Sequence, residues 1–308
     1  MTKCVSPTHK PSIGGKPARE IGNFQRDKGN GGGHHPFVIK VLGRRFAGTT
    51  CHIFSVGGEH GHARDCMASG KNPMKPDITE MITASSSASP AASLGGLRLH
   101  PGYLDRALQE ALLAELRGIF AAAPLFTPRM PKSGRPFSVR MSNCGPLGWV
   151  SDEAGYRYQP THPVTGRPWP PLPSMLLSIW NALAGYLAPP EACLINFYAA
   201  GTKMGLHQDR DEEDFAAPVV SLSLGDSCLF RVGGRKRNDP TRSVRLHSGD
   251  AVVLGGDSRL AFHGVDRIEP GTSTLLAESG RINLTLRRVT RPAAAQLRPR
   301  EVSGPGAA

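Results

Sequence analysis

Three side chains of metal-binding type fall at a spacing that could hold one ion. His207 and Asp209 stand two apart in GLHQD, and His263 lies 56 residues further on, in RLAFHGV. On extended backbone, residues two apart point the same way. His207 and Asp209 would then aim an imidazole and a carboxylate into one cavity, with Gln208 facing away. A His from a distant strand would complete a two-His, one-carboxylate face. That set leaves open positions on an octahedral iron(II) ion and suits oxygen activation. A lone H-x-D is common by chance, and a buried structural His is the usual alternative for either imidazole, so the surrounding residues have to decide.

A second group could bind an anion. Arg281 and Arg287 in RINLTLR are six apart, so on a strand they share a face with Asn283 and Thr285. An inward-pointing Arg is costly unless it meets an anion, and a dicarboxylate would serve two guanidinium forks. A solvated strand face is the alternative, which Arg288 fits better. Asn196 and Tyr198 in LINFY are also two apart, and their amide and hydroxyl could donate to a carboxylate. Asp211, two beyond Asp209, could pair with a cationic substrate. On spacing alone it reads as an exposed loop acid in DRDEED.

These residues need elements to hold them. Leu104, Leu108, Leu112, Leu116 and Phe120 recur at four-residue spacing, which predicts a core-facing helix over 103–120. Residues 137–160 alternate and break at glycines, as strands joined by turns do. Trp149 and Tyr156 there are core aromatics or, beside a basic groove, stacking platforms for bases. Ser174 is a plausible N-cap for a helix running to about Gly185. Beyond Ala192 the expected strands are 193–198, 205–209, 218–224, 227–232, 243–247, 250–254, 259–263 and 281–288, separated by Gly, Asn and Asp turn signals. The fold class is mainly β with flanking helices, arranged as a jelly roll or sandwich.

The 308 residues carry a formal net charge of +12, half of it in residues 1–80 and half beyond. Such a balance favours an acidic partner, nucleic acid ahead of an anionic membrane surface. Six scattered cysteines without a C-x-x-C pair suggest a reducing compartment. The start lacks an apolar signal core, and no apolar run approaches a membrane span. A soluble cytoplasmic protein is expected. Residues 1–95 have linker composition, with GNGGGHHP and ASSSASPAASLGG. One apolar patch, Phe37 to Phe46, could make a strand. Cys51, His52, His60, His62 and Cys66 look like metal ligands, but match no defensible zinc spacing. The extension reads as low-complexity or disordered, or as an upstream mis-annotation with the true start at Met74 or Met81. The catalytic domain is expected over 96–289 and a flexible basic tail over 290–308.

At this point the residues carry a resemblance. NCGPLGW, GYRY, RPWPPLP, ACLINFYAAGTKMGLHQDRDE, PVVSLSLG, GGRKRNDP, HSGDAVVLGG, SRLAFHGV and RINLTLR resemble, in order and spacing, the AlkB family of 2-oxoglutarate- and iron(II)-dependent dioxygenases of DNA alkylation repair. The resemblance spans about residues 95–289 and implies a double-stranded β-helix (jelly-roll) core. It implies that His207, Asp209 and His263 hold Fe(II), with 2-oxoglutarate and O2 as co-substrates. Arg281 would bind one 2-oxoglutarate carboxylate, assisted by Asn196, Tyr198 and Asn283, with Arg287 near the other end. Trp149 and His207 would sandwich a flipped base and Met141 would line the same pocket. Tyr156 would lie against the DNA strand and Asp211 would face the base edge. Lys203, Gln208, Arg210 and Arg237 would contact the phosphate backbone or the substrate mouth. The implied reaction is oxidative demethylation of 1-methyladenine and 3-methylcytosine, mainly in single-stranded DNA, with RNA or tRNA as the alternative substrate. A monomer is expected, with no membrane partner. One departure is visible: SGRPFSVRM has Arg135 and Pro136 where a member of the family has a Tyr ahead of its S-V-x-M segment, so the nucleic-acid lid, and with it substrate range more than chemistry, is expected to differ.

Overall fold

The computed structural model describes residues 92–94 and 96–293, with side chains from 96 onward. The apolar patch at 37–46, the Cys/His cluster at 51–66, the candidate starts at Met74 and Met81, and most of the expected tail lie outside the described residues. Within them the chain forms β1 (Ala92–Leu94), β2 (Leu97–His100), α1 (Arg106–Ala122), β3 (Arg140–Cys144), β4 (Gly148–Asp152), β5 (Gly155–Gln159), α2 (Ser174–Leu183), β6 (Ala192–Tyr198) and β7 (Met204–His207). Then follow β8 (Val219–Gly225), β9 (Ser227–Val232), β10 (Arg242–Leu246), β11 (Ala251–Leu254), a 3-10 turn (Gly256–Ser258), β12 (His263–Glu269) and β13 (Arg281–Arg287).

The strands build a seven-stranded sheet in the order β1-β2-β11-β8-β13-β6-β3, a four-stranded sheet in the order β10-β9-β12-β7, and the β4-β5 hairpin. Every ladder is antiparallel. This is a double-stranded β-helix, or jelly roll, with the two helices added.

Alternation along the central strands separates an apolar core from a polar cavity. On β13, Ile282, Leu284 and Leu286 join an apolar cluster with Leu112 and Leu116 of α1 and Ile179 and Trp180 of α2. The intervening Arg281, Asn283, Thr285 and Arg287 line a cavity on the other side of the sheet. The neighbouring strands repeat the division: Cys193 and Ile195 of β6 and Leu222 and Leu224 of β8 face the helices. Leu194, Asn196 and Tyr198 of β6 and Ser221 of β8 face the cavity. Phe230, His263 and Val265 of the four-stranded sheet close its far wall.

Several boundaries differ from the sequence expectation. Helix α1 starts at Arg106 because Asp105 caps it, its Oδ1 accepting from the Leu108 amide at 2.8 Å. At α2 the cap is Pro173, and Ser174 is the first helical residue with no capping bond. Ala92–Leu94, within the expected linker, pairs with Leu97–His100 as the edge of the large sheet. The strand expected over 259–263 does not form. A 3-10 turn and a loop occupy that stretch, and β12 opens at His263 instead of ending there. Gly264 makes that start possible, since a Cβ there would lie 2.6 Å from the Met204 carbonyl oxygen of β7. No described helix is long and apolar enough to cross a membrane.

Leu112 is fully buried between α1 and the large sheet. Leu112→Ala should therefore cost about 2–5 kcal/mol through lost burial and the cavity left behind. A lower urea midpoint with an unchanged slope is the expected reading.

Candidate active site

Antiparallel register brings the three metal-type side chains together. His263 of β12 is the direct cross-strand partner of His207 at the end of β7, and their ring centroids are 4.5 Å apart. Asp209 completes the group: Oδ1 lies 3.7 Å from His207 Nε2, and Oδ2 lies 3.7 Å from His263 Nε2. One ligand atom from each residue lies within 4.8 Å of the others. Both rings are oriented by backbone. His207 Nδ1 lies 2.9 Å from the Gly205 carbonyl oxygen, and His263 Nδ1 lies 2.9 Å from that of Ala261. A carbonyl oxygen only accepts, so each Nδ1 carries the proton and donates. Each Nε2 is left with its lone pair toward Asp209, the tautomer a metal ligand requires.

Asp209 does not sit on a strand as expected, because β7 stops at His207. Side chains fix it instead. Arg287 Nη2 reaches Asp209 Oδ1 at 2.8 Å, and Arg259 Nη1 donates to the Asp209 carbonyl oxygen at 2.6 Å. Burial alone would raise the Asp209 carboxyl. Arg287, then His263, His207 and Arg259, outweigh it and hold the group well below the usual carboxylate range. Burial, reinforced by His207, pulls His263 down from 6.5 to about 4. Asp209 is thus held as a carboxylate and the His263 imidazole is held neutral, which are the protonation states divalent metal binding needs of them.

Beside it lies a site with the chemistry of a carboxylate receptor. Arg281 is 1% exposed, and Nη2 donates to Ser223 Oγ at 2.9 Å. Its Nε and Nη1 have no protein partner, nor do Arg287 Nε and Asn196 Oδ1. Unpaired buried donors are costly, and a carboxylate would satisfy the Arg281 fork. Burial pushes the Tyr198 phenol up, so it stays protonated and able to donate. Asn283 is committed differently: Nδ2 donates to Ser221 Oγ and the Leu222 carbonyl, and Oδ1 accepts from Thr285 Oγ1. The three-residue face and the arginines therefore fit an iron(II) ion and a dicarboxylate on chemical grounds.

The cavity, about 500 Å³, is lined by every expected site residue except Lys203. Trp149 is held at its rim by Nε1 donating to Asp211 Oδ2 at 2.8 Å. Tyr156, half exposed, stacks on Trp149 at 5.6 Å and 19°, and Met141 is buried beneath. Asp211 is an exposed residue but not an unengaged one. Gln208 does not face away: it lines the cavity, and Nε2 donates to the Leu260 and Arg235 carbonyls, tying two loops together. Arg237 donates to the Leu206 carbonyl and lies over Phe262. Arg210 is exposed at the mouth. Lys203 is exposed on the β6–β7 turn, where only its carbonyl is engaged, by Ser138.

Sequence reasoning missed Tyr158, Glu212, Arg259 and Ser223. Tyr158 had a signal, since it lies two beyond Tyr156 on β5. Glu212 and Arg259 had none, because nothing in the order of residues pairs two loop positions 47 apart.

A family model described as the 2OG-Fe(II) oxygenase superfamily matches residues 96–287. An alpha-ketoglutarate-dependent dioxygenase AlkB homolog of Caulobacter vibrioides is 52% identical over 201 residues, covering 65% of this chain and 91% of the relative. The alpha-ketoglutarate-dependent dioxygenase AlkB of Escherichia coli is 43% identical over 183 residues, covering 58% and 84%. The solved structure of OsALKBH1 superposes with a TM-score of 0.55 at 32% identity, covering 64% of this chain and 98% of that one. Two shorter matches carry nucleic acid in their names. One is a DNA N(6)-methyladenine demethylase of Arabidopsis thaliana, at 44% identity over 32% of this chain and 24% of its own length. The other is a tRNA demethylase of Schizosaccharomyces pombe, at 42% over 27% and 28%.

The depressed His263 value sets a pH dependence. Between 6.5 and about 4 the unfolded chain binds a proton at His263 that the folded, metal-free protein does not. Stability therefore falls as pH is lowered through that window and is fully present above it. Asp209 acts below, its contribution present above the ordinary carboxylate range and lost as pH falls through its lower folded value. The melting temperature of metal-free protein should decline from pH 6.5 to 4, and His263→Asn should flatten that decline.

Proposed function

Since the chain belongs to the 2OG-Fe(II) oxygenase superfamily and to the AlkB family within it, we propose that it demethylates 1-methyladenine and 3-methylcytosine in nucleic acid, chiefly single-stranded DNA. The enzyme is a 2-oxoglutarate- and Fe(II)-dependent dioxygenase with O2 as the second co-substrate. It acts as a monomer in the cytoplasm, on a catalytic domain spanning 96–289 flanked by an extension and a basic tail. The observation that carries this reading is that one cavity holds a two-His, one-carboxylate face, a buried guanidinium with unpaired donors and an aromatic rim.

His207, Asp209 and His263 would hold the iron. Bound there, it supplies oxygen activation coupled to decarboxylation of 2-oxoglutarate, giving succinate, CO2 and a hydroxylated N-methyl group that leaves the base as formaldehyde. Arg281 takes one carboxylate of 2-oxoglutarate, with Tyr198 and Asn196 beside it and Asn283 shaping the wall. Arg287, bonded to Asp209, stands at the other end. A base stacked and paired within a duplex cannot reach residues inside this cavity, so it must be extruded or already single-stranded. Trp149 and His207 then flank the base over Met141, and Tyr156 lies against the strand. Methylation at these ring positions makes the base cationic. The Asp211 carboxylate, oriented by Trp149 Nε1, favours that charge, and its loss on demethylation weakens the hold on product. Lys203, Arg210 and Arg237 supply positive charge at the mouth, while Gln208 sets the mouth's shape by joining its loops.

Formaldehyde release from a single-stranded oligonucleotide carrying 3-methylcytosine, with iron(II), ascorbate and 2-oxoglutarate present, tests the reading. Release by the native protein, lost in His207→Ala, is expected. Succinate without formaldehyde would sink the lesion assignment and move the assay to methylated RNA. The basic mouth gives a separate expectation: Lys203→Ala or Arg237→Ala should lower the slope of log affinity against log salt by about 0.7 per lost phosphate contact on a single strand.

A further inference from the structure

Glu212 touches none of the three candidate ligands by its own side chain, yet it stands at the centre of what holds Asp209. Its carboxylate is fully buried. Oε2 accepts from Arg259 Nη2 at 3.0 Å. Oε1 accepts from Arg287 Nη1 at 3.3 Å and from the Tyr158 hydroxyl. Tyr158 OH accepts in turn from Arg287 Nη1 at 2.9 Å. The two arginines are those that fix Asp209, Arg287 through its carboxylate and Arg259 through its backbone carbonyl. Arg259 is anchored a third time, Nε donating to the Ala217 carbonyl at 2.9 Å.

We infer that Glu212 is a positioning residue for the metal face: it holds Arg259 and Arg287, and through them sets where the Asp209 carboxylate stands. Asp209 lies past the end of β7, so no strand ladder fixes its backbone, and its orientation comes from the two guanidinium groups. A buried Arg is itself mobile unless its donors are engaged. Glu212 engages both with one rigid carboxylate, an oxygen for each. Two acids and two arginines, Asp209, Glu212, Arg259 and Arg287, also cancel in formal charge, so none is left as an uncompensated buried charge. In general, hydrogen-bond partners behind metal ligands change metal affinity by about 10–100-fold when removed.

This rests on the reading of His207, Asp209 and His263 as a metal site, and the test separates the two. Metal-free full-length protein is titrated with Co(II), with affinity read by calorimetry and coordination by the visible absorption band. Native protein should bind one Co(II), and Glu212→Gln should bind about tenfold or more weakly with a shifted band. Gln keeps the shape but turns an amide N–H₂ toward arginine donors. Leu112→Ala, which loosens the helix packing, should melt earlier yet keep native Co(II) affinity while folded. If native protein shows no saturable Co(II) site, the metal-site reading falls and the inference with it. If native protein binds and Glu212→Gln matches it, the positioning role alone is wrong. Should Glu212→Gln fail to fold, Tyr158→Phe decides, because it removes one bond to Glu212 and one to Arg287 and leaves no charge unpaired. Weakened Co(II) binding upholds the role of the network, and unchanged binding overturns it.

Discussion

The ion pair between Arg287 and Asp209 is the interaction on which the cavity depends. An ionised carboxylate between two β-sheets is expensive to bury. Here it stays ionised because one guanidinium stands 2.8 Å away and a second lies close by. Without Arg287, the carboxyl would take up a proton more readily and lose the charge that metal binding requires. The pair also explains why the last residue of β13 is an Arg at all. At that register the side chain points into the cavity, where an apolar residue would leave Asp209 uncompensated.

The jelly roll makes such a pair affordable by giving each central strand two different faces. Ile282, Leu284 and Leu286 lie against α1 and α2, so β13 is anchored by apolar burial on one side. Arg281, Asn283, Thr285 and Arg287 are then free to be polar on the other. The core and the site are built from the same residues in alternation. The metal-type histidines use the second sheet in the same way, since pairing of β12 with β7 sets His263 opposite His207.

Between the sheets runs a short acidic segment whose members each have a separate task. Asp211 accepts from Trp149 and steadies the rim. Glu212 holds the two arginines. Glu213 takes its amide bond to the Val289 carbonyl and accepts from Arg291 through its own carbonyl and carboxylate. Asp214 accepts from the Tyr186 hydroxyl. A run of like charges that looks like a solvated loop is thereby strapped to four parts of the fold, and the ligand Asp209 sits at its head.

The sequence by itself determined what depends on local period. Two-residue alternation in RINLTLR and LINFY assigned Arg281, Asn283, Arg287, Asn196 and Tyr198 to one side of a sheet. Four-residue spacing of leucines assigned α1, and H-x-D with a distant His selected the three ligand-type residues. The fold class followed from many short strands and turn signals, and the family from the order of its motifs. Tertiary structure decided what depends on meeting across the chain. It ended β7 at His207, opened β12 at His263, turned Gln208 into a brace between loops and gave Asp211 to Trp149. It also assembled Tyr158, Glu212, Arg259 and Arg287 into one buried network. The physical reason is that period reports which way a side chain points on its own element, whereas a hydrogen bond between loops depends on where two distant backbones arrive. Glu212 and Arg259 have no periodic relation, and only the folded chain brings them within 3.0 Å.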